Sequence, residues 1–245
     1  MTRKSIVTIL RHGETDYNRA GIIQGHLDVP LNEAGEAQAK VTARWYREQG
    51  IQFDEAWSSD LGRAKKTAGL VLEQQKEPVT SQQDERIRER HLGNLQGKRR
   101  GEPGTDSSTV EPIPILRARL WSFWHDLLSI RSMSHLSSPA SEPRQILCVS
   151  HGASIREFIR SIVEEKIDKG DQGWSMALPD EEEKALRSGS KRIDNCSRTV
   201  IEVEQEEIGD GSPNCHARLL LYADDSHFAD SSRAPSPTAN ADVVE

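Results

Sequence analysis

Short apolar stretches alternate with amphipathic ones along most of this chain, a pattern typical of an α/β domain. The first apolar stretch is rich in β-branched residues, which favours a buried strand. The predicted strands are Ser5–Leu10, Phe53–Ser58, Gln145–Val149, Thr199–Val203 and Arg218–Tyr222, with a further short strand within the polar stretch 79–86. The alternation of strands and helices agrees with one α/β domain.

The region between the first two strands predicts a helix. Asn32 is a suitable N-cap, and the helical pattern continues to about Gln49. Ala37, Val41 and Trp45 recur there at four-residue spacing on one face of the helix, and Gly50 marks its end.

A second helix follows the strand that ends at Ser58, with Ser59 or Asp60 as its predicted N-cap. Its apolar positions are Leu61, Ala64, Ala68 and Leu72. Arg63 therefore lies in the first turn, where its charge adds to the exposed N–H groups and the positive end of the helix dipole. The start of this helix is a candidate site for an anion.

Two later segments also predict helices. A clear helical stripe predicts core packing by Leu116, Leu120, Trp124, Leu127 and Leu128. Ser154 and Glu157 form a capping-box pattern at the start of another helix, which follows the predicted strand 145–149.

The remaining segments have the composition of loops. We expect a mobile loop over 97–114, a linker over 132–143 and a surface excursion over 170–192. From about Asp230 the chain is rich in Ser, Pro, Ala and Asp and has little to pack. The predicted organisation is one domain over residues 1–229 and a disordered tail over 230–245.

The bulk composition narrows the class of protein. At 245 residues, of which 35% are hydrophobic, the chain can bury one large core. A net charge of −7 argues against a nucleic-acid partner. Residues 1–10 do not have the long apolar segment of a signal peptide and no apolar run approaches 18 residues, so we expect neither a signal peptide nor a membrane span. Cys148, Cys196 and Cys215 form no C-x-x-C pair, so we expect a reduced, cytoplasmic protein.

Candidate chemistry begins where the first strand ends. Arg11 and His12 lie at that end, and ligands of open α/β sheets bind at the carboxyl ends of strands. Later stretches supply Arg63, Glu89 and His151, the last directly after another predicted strand. Each residue alone is ordinary. The set and its order favour phosphoryl transfer through a histidine, without a metal.

Each residue type has a chemical reason to be in this set. A neutral imidazole can attack phosphorus, and Arg11 and Arg63 disfavour the imidazolium form of His12. The same arginines offer planar, bidentate donors to phosphate oxygens. His151 can donate to the group in transfer, and Glu89 is the candidate proton donor for the leaving alkoxide.

Other charged residues are less informative. His26 and His91 fit contact with phosphate and simple exposure equally well. The run Lys98, Arg99 and Arg100 favours a solvated loop over a substrate clamp. The sequence also lacks the G-x-S-x-G elbow of serine hydrolases, zinc-type His and Cys spacing, and the glycine patterns of nucleotide-binding loops.

Taken together, these motifs resemble the histidine phosphatase superfamily, which has the phosphoglycerate mutase-like fold. The resemblance covers roughly residues 4–228 and is carried by Arg11-His12-Gly13-Glu14-Thr15 with Asn18, Gln24-Gly25 with Asp28, Pro30 and Leu31, Ser58-Ser59-Asp60-Leu61 with Arg63-Ala64, Glu89-Arg90-His91-Leu92-Gly93 with Gln96-Gly97, and Val149-Ser150-His151-Gly152.

The resemblance implies a fold and a set of roles. The implied fold is an α/β class, three-layer α/β/α sandwich with a mostly parallel central sheet. His12 is similar to the phosphorylated nucleophile and Glu89 to the proton donor, with Arg11, Arg63 and His151 in the phosphate pocket. Positions similar to substrate or phosphate contacts are Thr15, Asn18, Gln24, Gly25 and Gly152. We expect a small phosphorylated metabolite as the partner, with no metal and no cofactor.

Within the superfamily the chain looks most like the fructose-2,6-bisphosphatase-like branch, through Ile22-Ile23-Gln24-Gly25, Asn195-Cys196-Ser197 and Asp224-Asp225-Ser226-His227-Phe228. That likeness brings Asn195 to the site. The segment 101–114 is shorter than the insertion of the glycolytic mutases, and Arg117 and Arg119 are not adjacent as their paired arginines are. We therefore expect a phosphatase; a mutase and a non-catalytic phosphate-binding protein are the alternatives. The sequence leaves the oligomeric state open.

Overall fold

Seven strands form one sheet in the computed structural model, which describes residues 2–102, 106–128, 142–168, 174–188, 191–207 and 213–229. The strands are β1 (Thr2–Arg11), β2 (Glu55–Ser58), β3 (Ser81–Gln83), β4 (Arg144–Ser150), β5 (Trp174–Ala177), β6 (Arg198–Glu207) and β7 (Pro213–Asp224). Their order across the sheet is β3-β2-β4-β1-β6-β7-β5. Neighbours are parallel except β1 with β6 and β6 with β7, which confirms the mostly parallel sheet.

Helices cover both faces of the sheet. They are α1 (Asp16–Ala20), α2 (Glu33–Glu48), α3 (Gly62–Leu72), α4 (Ile113–Leu127), α5 (Gly152–Asp168) and α6 (Asp180–Ser188). Side chains of α2 and α3 form a core on one face, and those of α4, α5 and α6 form a larger core on the other. This arrangement confirms the three-layer α/β/α sandwich.

The alternation of side chains along β1 feeds the two cores. Val7 and Ile9 pack with α4 and α5, whereas Leu10 points to the opposite face and packs with α2 and α3. All three are buried, as expected for a central strand that is covered on both sides.

The sheet order brings the predicted functional loops together. β2, β4 and β1 are adjacent and parallel, so their carboxyl ends meet at one edge of the sheet. The loops that leave these ends carry residues 11–15, 59–63 and 151–152. A ligand site is expected at such an edge.

Several local predictions are confirmed. The Asn32 side chain accepts a hydrogen bond from Gly35 N at 2.8 Å and caps α2, which ends at Glu48. Arg63 is the second residue of α3. The stripe predicted from Leu116 to Leu128 is buried in the larger core.

The apolar residues at four-residue spacing on α2 lie beside its most buried side rather than at its centre. Ala37, Val41 and Trp45 are only half-buried, and the side of α2 that faces the protein is lined by Gly35, Gln38, Ala39, Thr42, Ala43 and Tyr46. Most residues on this side are small or polar, because α2 lies close to the loop after β1 and leaves little space between the two. Gln38 Oε1 accepts a hydrogen bond there from Glu14 N at 2.9 Å. Trp45 instead stacks under the guanidinium of Arg198, 3.9 Å from the ring centre.

The two predicted caps of α3 and α5 were wrong, because tertiary partners take the capping side chains. Leu61 is the N-cap of α3 without a side-chain hydrogen bond, and Asp60 forms an ion pair with Arg88 instead. α5 begins at Gly152, so Ser154 and Glu157 lie inside it. Glu157 pairs with Arg117 of α4.

The predicted surface excursion over 170–192 was wrong in its described part. Residues 174–177 form β5, which extends the sheet by pairing with β7. α6 then places Leu186 in the larger core, where it is 3% exposed. Pairing with a distant strand, rather than local hydrophobicity, holds this segment in the fold.

Some predicted segments lie outside the described residues: the tail over 230–245, most of the linker over 132–143, and part of the loop over 97–114. The described part of that loop includes a short 3-10 turn at Ser107–Thr109. None of the helices in the described ranges combines the length and apolarity needed to cross a membrane.

Candidate active site

The backbone of His12 is hydrogen-bonded through both its N–H and its carbonyl group, at the carboxyl ends of the central strands. His12 N donates to Ser150 O of β4 at 3.0 Å. Asn195 Nδ2 donates to His12 O at 2.9 Å, so Asn195 reaches the site as a support for the backbone of His12. The His12 side chain is fully buried.

The hydrogen bonding of His12 defines its tautomer. Nδ1 lies 2.7 Å from Gly13 O, and a carbonyl only accepts, so Nδ1 carries the proton and Nε2 carries the lone pair. Among the described residues, nothing hydrogen-bonds to Nε2. The arrangement leaves a buried nitrogen with its lone pair directed to a ligand.

His151 lies beside His12, with 5.1 Å between the ring centres and 59° between the planes. It is also fully buried, and neither of its ring nitrogens has a hydrogen-bond partner in the part of the chain that the structure describes. Buried polar atoms are normally paired, so these nitrogens together mark a place for a polar ligand.

Arg11 and Arg63 supply positive charge around the two imidazoles. Both are buried. Arg11 Nη1 donates to Ile193 O, and Arg63 donates to Leu27 O and Gly25 O, all at 2.7 Å. These carbonyl contacts hold the guanidinium groups in place, and Gly25 therefore acts through its backbone.

The pKa of His12 lies well below its usual 6.5, because burial disfavours the charged form and the charges of Arg63 and Arg11 repel it. The pKa of His151 is lowered for the same reasons, burial first and then Arg63, His12 and Arg11. Both imidazoles are therefore neutral near pH 7, which is the state that a nucleophile on phosphorus requires.

Both pKa shifts make stability depend on pH. Below pH 6.5 the unfolded chain binds protons at these imidazoles and the folded chain does not, so the free energy of unfolding should fall as pH falls. The slope is up to about 1.4 kcal/mol per pH unit for each histidine. Urea unfolding between pH 7.5 and 5.5 measures it. His12→Asn should reduce the slope, and an unchanged slope in that variant would contradict the assignment.

The remaining predicted contact residues form one buried network next to His12. Thr15 caps α1, and its Oγ1 donates to Gln24 Oε1 at 2.8 Å. Asn18 Oδ1 accepts from Thr15 N at 3.2 Å and from Asn195 Nδ2 at 3.3 Å. Asn18 Nδ2 is buried and, within the described ranges, has no acceptor, so it is available to a ligand oxygen.

The side chain of Glu89 contacts the N-terminus of α5, the helix that begins directly after His151. Its carboxylate accepts from Ala153 N and Ser154 N, both at 3.1 Å, and from Arg90 N at 2.8 Å. The N-terminus of a helix favours a carboxylate at this place. Gly152 is the first residue of α5 and connects His151 to these amides.

Sequence reasoning missed several supporting residues. Thr67 Oγ1 accepts from Gly13 N at 3.0 Å and donates to Arg63 O, so it ties the His12 loop to α3. Its spacing of four residues from Arg63 was the available signal. Ser154 Oγ donates to Arg88 O at 2.7 Å, close to Glu89.

The residues left open by the sequence lie at the edge of the site. His26 and His91 are half-buried and contact each other, with ring centres 4.9 Å apart. His26 Nε2 donates to Glu89 O at 2.7 Å. Arg99 and Arg100 are exposed, and Arg99 bonds to Ala20 O.

The backbone of the loop after β1 lies in close contact with the backbone of α2 at Gly35. A Cβ on Gly35 would lie 2.1 Å from Glu14 O and 2.6 Å from Glu14 N. Gly35→Ala should therefore push the His12 loop away, lower the unfolding free energy by about 1–3 kcal/mol and reduce activity. Gly69→Ala is the matched control, because nothing lies within 4 Å of its added Cβ in helix α3. Equal melting temperatures for the two variants would exclude this role of Gly35.

Comparisons with known proteins agree with this geometry. Residues 7–180 match the family model of the histidine phosphatase superfamily (branch 1). A broad-specificity phosphatase of Saccharomyces cerevisiae is 42% identical over 90 residues, 36% of this chain and 39% of that protein. A 2,3-bisphosphoglycerate-dependent phosphoglycerate mutase of Streptococcus sanguinis is 42% identical over 119 residues, 48% of this chain and 49% of that protein. The chain thus spans less than half the length of either relative.

Solved structures share the fold over nearly the whole chain. A mycobacterial glucosyl-3-phosphoglycerate phosphatase superposes with a TM-score of 0.66 at 25% identity, covering 91% of this chain and 99% of that one. A phosphoglycerate mutase of Bacillus anthracis gives a TM-score of 0.64 at 22% identity, covering 93% and 96%. Because the family model matches well over half of its residues, this chain belongs to the histidine phosphatase superfamily, branch 1.

Proposed function

We propose that this protein is a phosphomonoesterase that hydrolyses a small phosphorylated metabolite through a phosphohistidine on His12, with Glu89 as the proton donor. The observation that carries the proposal is a pair of buried, neutral imidazoles near the charges of two buried arginines, in which His12 Nε2 and both ring nitrogens of His151 have no hydrogen-bond partner among the described residues. A phosphate dianion supplies both the charge and the acceptor oxygens that such a pocket needs.

The reaction has two steps. His12 Nε2 attacks phosphorus, and the ester P–O bond breaks as the N–P bond forms. Glu89, which has to carry a proton once the substrate is bound, gives that proton to the leaving oxygen, which departs as an alcohol. Water then attacks the phosphohistidine, gives a proton back to Glu89 and releases inorganic phosphate as the N–P bond breaks. Arg11, Arg63 and His151 stabilise the charge on the transferring group.

The arginines on α4 favour hydrolysis over a mutase reaction. Arg117 is paired with Glu157 and Glu164, and Arg119 with Glu111. Neither is placed as one of two adjacent arginines that could hold a second phosphate or a carboxylate. A phosphoglycerate mutase-type transfer is the second candidate, because one relative carries that name.

For the substrate we propose a sugar phosphate or bisphosphate, and we retain the fructose-2,6-bisphosphatase-like branch as the finer assignment. It rests on Ile22-Ile23-Gln24-Gly25 and on Asn195, which supports the His12 backbone. A reduced, cytoplasmic location is part of the proposal. The described cysteines are all free and buried, which suits such a location.

Phosphate release from a panel of esters, with a chelator present, tests the proposal. The panel contains fructose 2,6-bisphosphate, 2,3-bisphosphoglycerate, 3-phosphoglycerate and an aryl phosphate. We expect release by the wild type and none by His12→Ala, and the ranking of the esters names the substrate class. Conversion of 3- to 2-phosphoglycerate without phosphate release would favour the mutase. Absence of both activities would leave a non-catalytic binding protein and contradict the proposal.

A further inference from the structure

All five N–H groups of the Arg119 guanidinium donate hydrogen bonds, either to carbonyls of residues 86–89 or to the Glu111 carboxylate. Nη1 donates to Arg86 O at 2.6 Å and to Arg88 O at 2.8 Å. Nη2 donates to Glu89 O at 2.8 Å and to Glu111 Oε2 at 2.9 Å, and Nε donates to Glu111 Oε1 at 2.8 Å. The five donors of an arginine form a rigid fork, so these contacts fix the backbone of residues 86–89 against helix α4.

Glu111 holds the other side of the same segment. Its carboxylate accepts from His91 N at 3.0 Å, and its backbone N donates to His91 O at 2.8 Å. Its carbonyl accepts from Arg90 Nε at 2.8 Å. Burial raises the pKa of the Glu111 carboxyl, but the hydrogen bonds and charge of Arg119 outweigh burial, and the pKa is lowered. Arg119 and Glu111 therefore form one charged unit around residues 86–91.

Glu89 is thus held at two ends by different elements. Its carboxylate is bound by the amides at the start of α5, and its carbonyl accepts from His26 Nε2 at 2.7 Å as well as from Arg119. From α5, the backbone of this segment is contacted through Ser154 Oγ, which donates to Arg88 O. Arg119 adds contacts from α4 to the carbonyls of Arg86, Arg88 and Glu89 itself, so it ties the backbone of the candidate proton donor to a second helix.

We propose that Arg119, oriented by Glu111, is a positioning residue that sets Glu89 at the distance from the leaving oxygen that proton transfer requires. This inference rests on the proposed function, in which Glu89 is the proton donor. A misplacement of the donor by about 1 Å can reduce the rate by roughly 10²-fold.

The chemistry of the leaving group separates positioning from a purely structural role. An alkoxide leaves only when it receives a proton, whereas 2,4-dinitrophenolate is a stable anion and leaves without one. A displaced Glu89 therefore slows alkyl phosphates selectively. General loss of structure, or loss of phosphate binding, slows both classes of ester alike.

The experiment compares kcat/KM for a sugar phosphate and for 2,4-dinitrophenyl phosphate, since kcat/KM covers only steps up to departure of the leaving group. Arg119→Met should lose roughly 10²-fold on the sugar phosphate, with a much smaller loss on the dinitrophenyl ester. Arg117→Met is the matched control: it removes an arginine of the same helix that pairs with Glu157 and Glu164 instead. We expect its ratio of the two rates to equal that of the wild type.

Glu89→Gln, measured beside them, distinguishes the two proposals. If Glu89→Gln loses both esters equally, the proton-donor role fails and the proposed mechanism with it. If Glu89→Gln is selective and Arg119→Met is not, only the positioning role is overturned. Should Arg119→Met not fold, Arg119→Lys and Glu111→Gln keep part of the contacts. Each should show a smaller selective loss, and equal losses on both esters in these variants overturn the inference as well.

Discussion

Replacing His12 by alanine should abolish turnover of every phosphate ester that the wild-type protein hydrolyses, with a loss of about 10⁴-fold or more. The physical reason is that His12 Nε2 is the one atom proposed to bond to phosphorus. The neighbouring His151 cannot replace it, because backbone contacts fix His12 and His151 on different strand ends. Arg11 and Arg63, which we propose to bind the phosphate, offer no nucleophile at neutral pH.

Two measurements make this prediction specific. Steady-state phosphate release gives the loss in rate, and rapid acid-free quenching followed by intact mass analysis detects the phosphoryl adduct in the wild type. His125→Ala is the control, because His125 is an exposed histidine on α4. Appreciable turnover in His12→Ala, or an adduct that persists in it, would show that another group is the nucleophile.

Glu89→Gln should slow alkyl phosphates by roughly 10²–10⁴-fold, the usual contribution of a general acid. The glutamine side chain has the size of glutamate, but its amide cannot deliver a proton to the leaving oxygen. It also loses an acceptor: Oε1 and Oε2 of Glu89 both receive backbone N–H groups, and one of these will face an NH₂ donor. We therefore also expect a fall in unfolding free energy of about 1–3 kcal/mol.

The stability loss and the catalytic loss have to be measured separately. Thermal unfolding reports the first, and kcat/KM for a sugar phosphate against 2,4-dinitrophenyl phosphate reports the second. A Ser154→Ala variant serves for comparison, because it removes one hydroxyl that contacts the Glu89 carboxylate, at 3.3 Å, and leaves the carboxylate itself. A rate for the sugar phosphate in Glu89→Gln close to that of Ser154→Ala would contradict the role of Glu89.

Local sequence determined the elements whose signals lie within a few residues. Apolar runs gave β1, β4, β6 and β7, and the Asn32 cap fixed the start of α2 because the cap needs only an amide three residues later. The stripe on α4 followed from the helical period, since the side of an amphipathic helix that is apolar must be buried.

The same sequence also predicted the candidate site, because the residues proposed to surround a phosphoryl group come from short motifs. His12, Arg63, Glu89 and His151 were each marked by a motif, and the parallel order of β2, β4 and β1 then places three of these motifs at one edge. The lowered pKa of His12 was predicted in direction from the two arginines alone, although burial is the larger cause.

At several helix starts the tertiary structure, rather than the local sequence, determined which partner a polar side chain contacts. Asp60 forms an ion pair with Arg88 instead of capping α3, and Glu157 forms one with Arg117 instead of capping α5. Glu89, from another segment, accepts the amide hydrogens at the start of α5. A charge-assisted pair with a partly buried arginine outweighs a local cap at these two positions, and local sequence does not indicate which partner will be near.

The sequence by itself therefore determined most of the strands and the longer helices, and it predicted the candidate catalytic set, since periodicity and motif chemistry are local properties. Only the tertiary structure decided that residues 174–177 add a seventh strand, that α2 buries its small and polar side, and that Arg119 holds the loop of Glu89. These outcomes depend on backbone hydrogen bonds, close packing and charge pairing between residues far apart in the chain, which exist only once the sheet has formed.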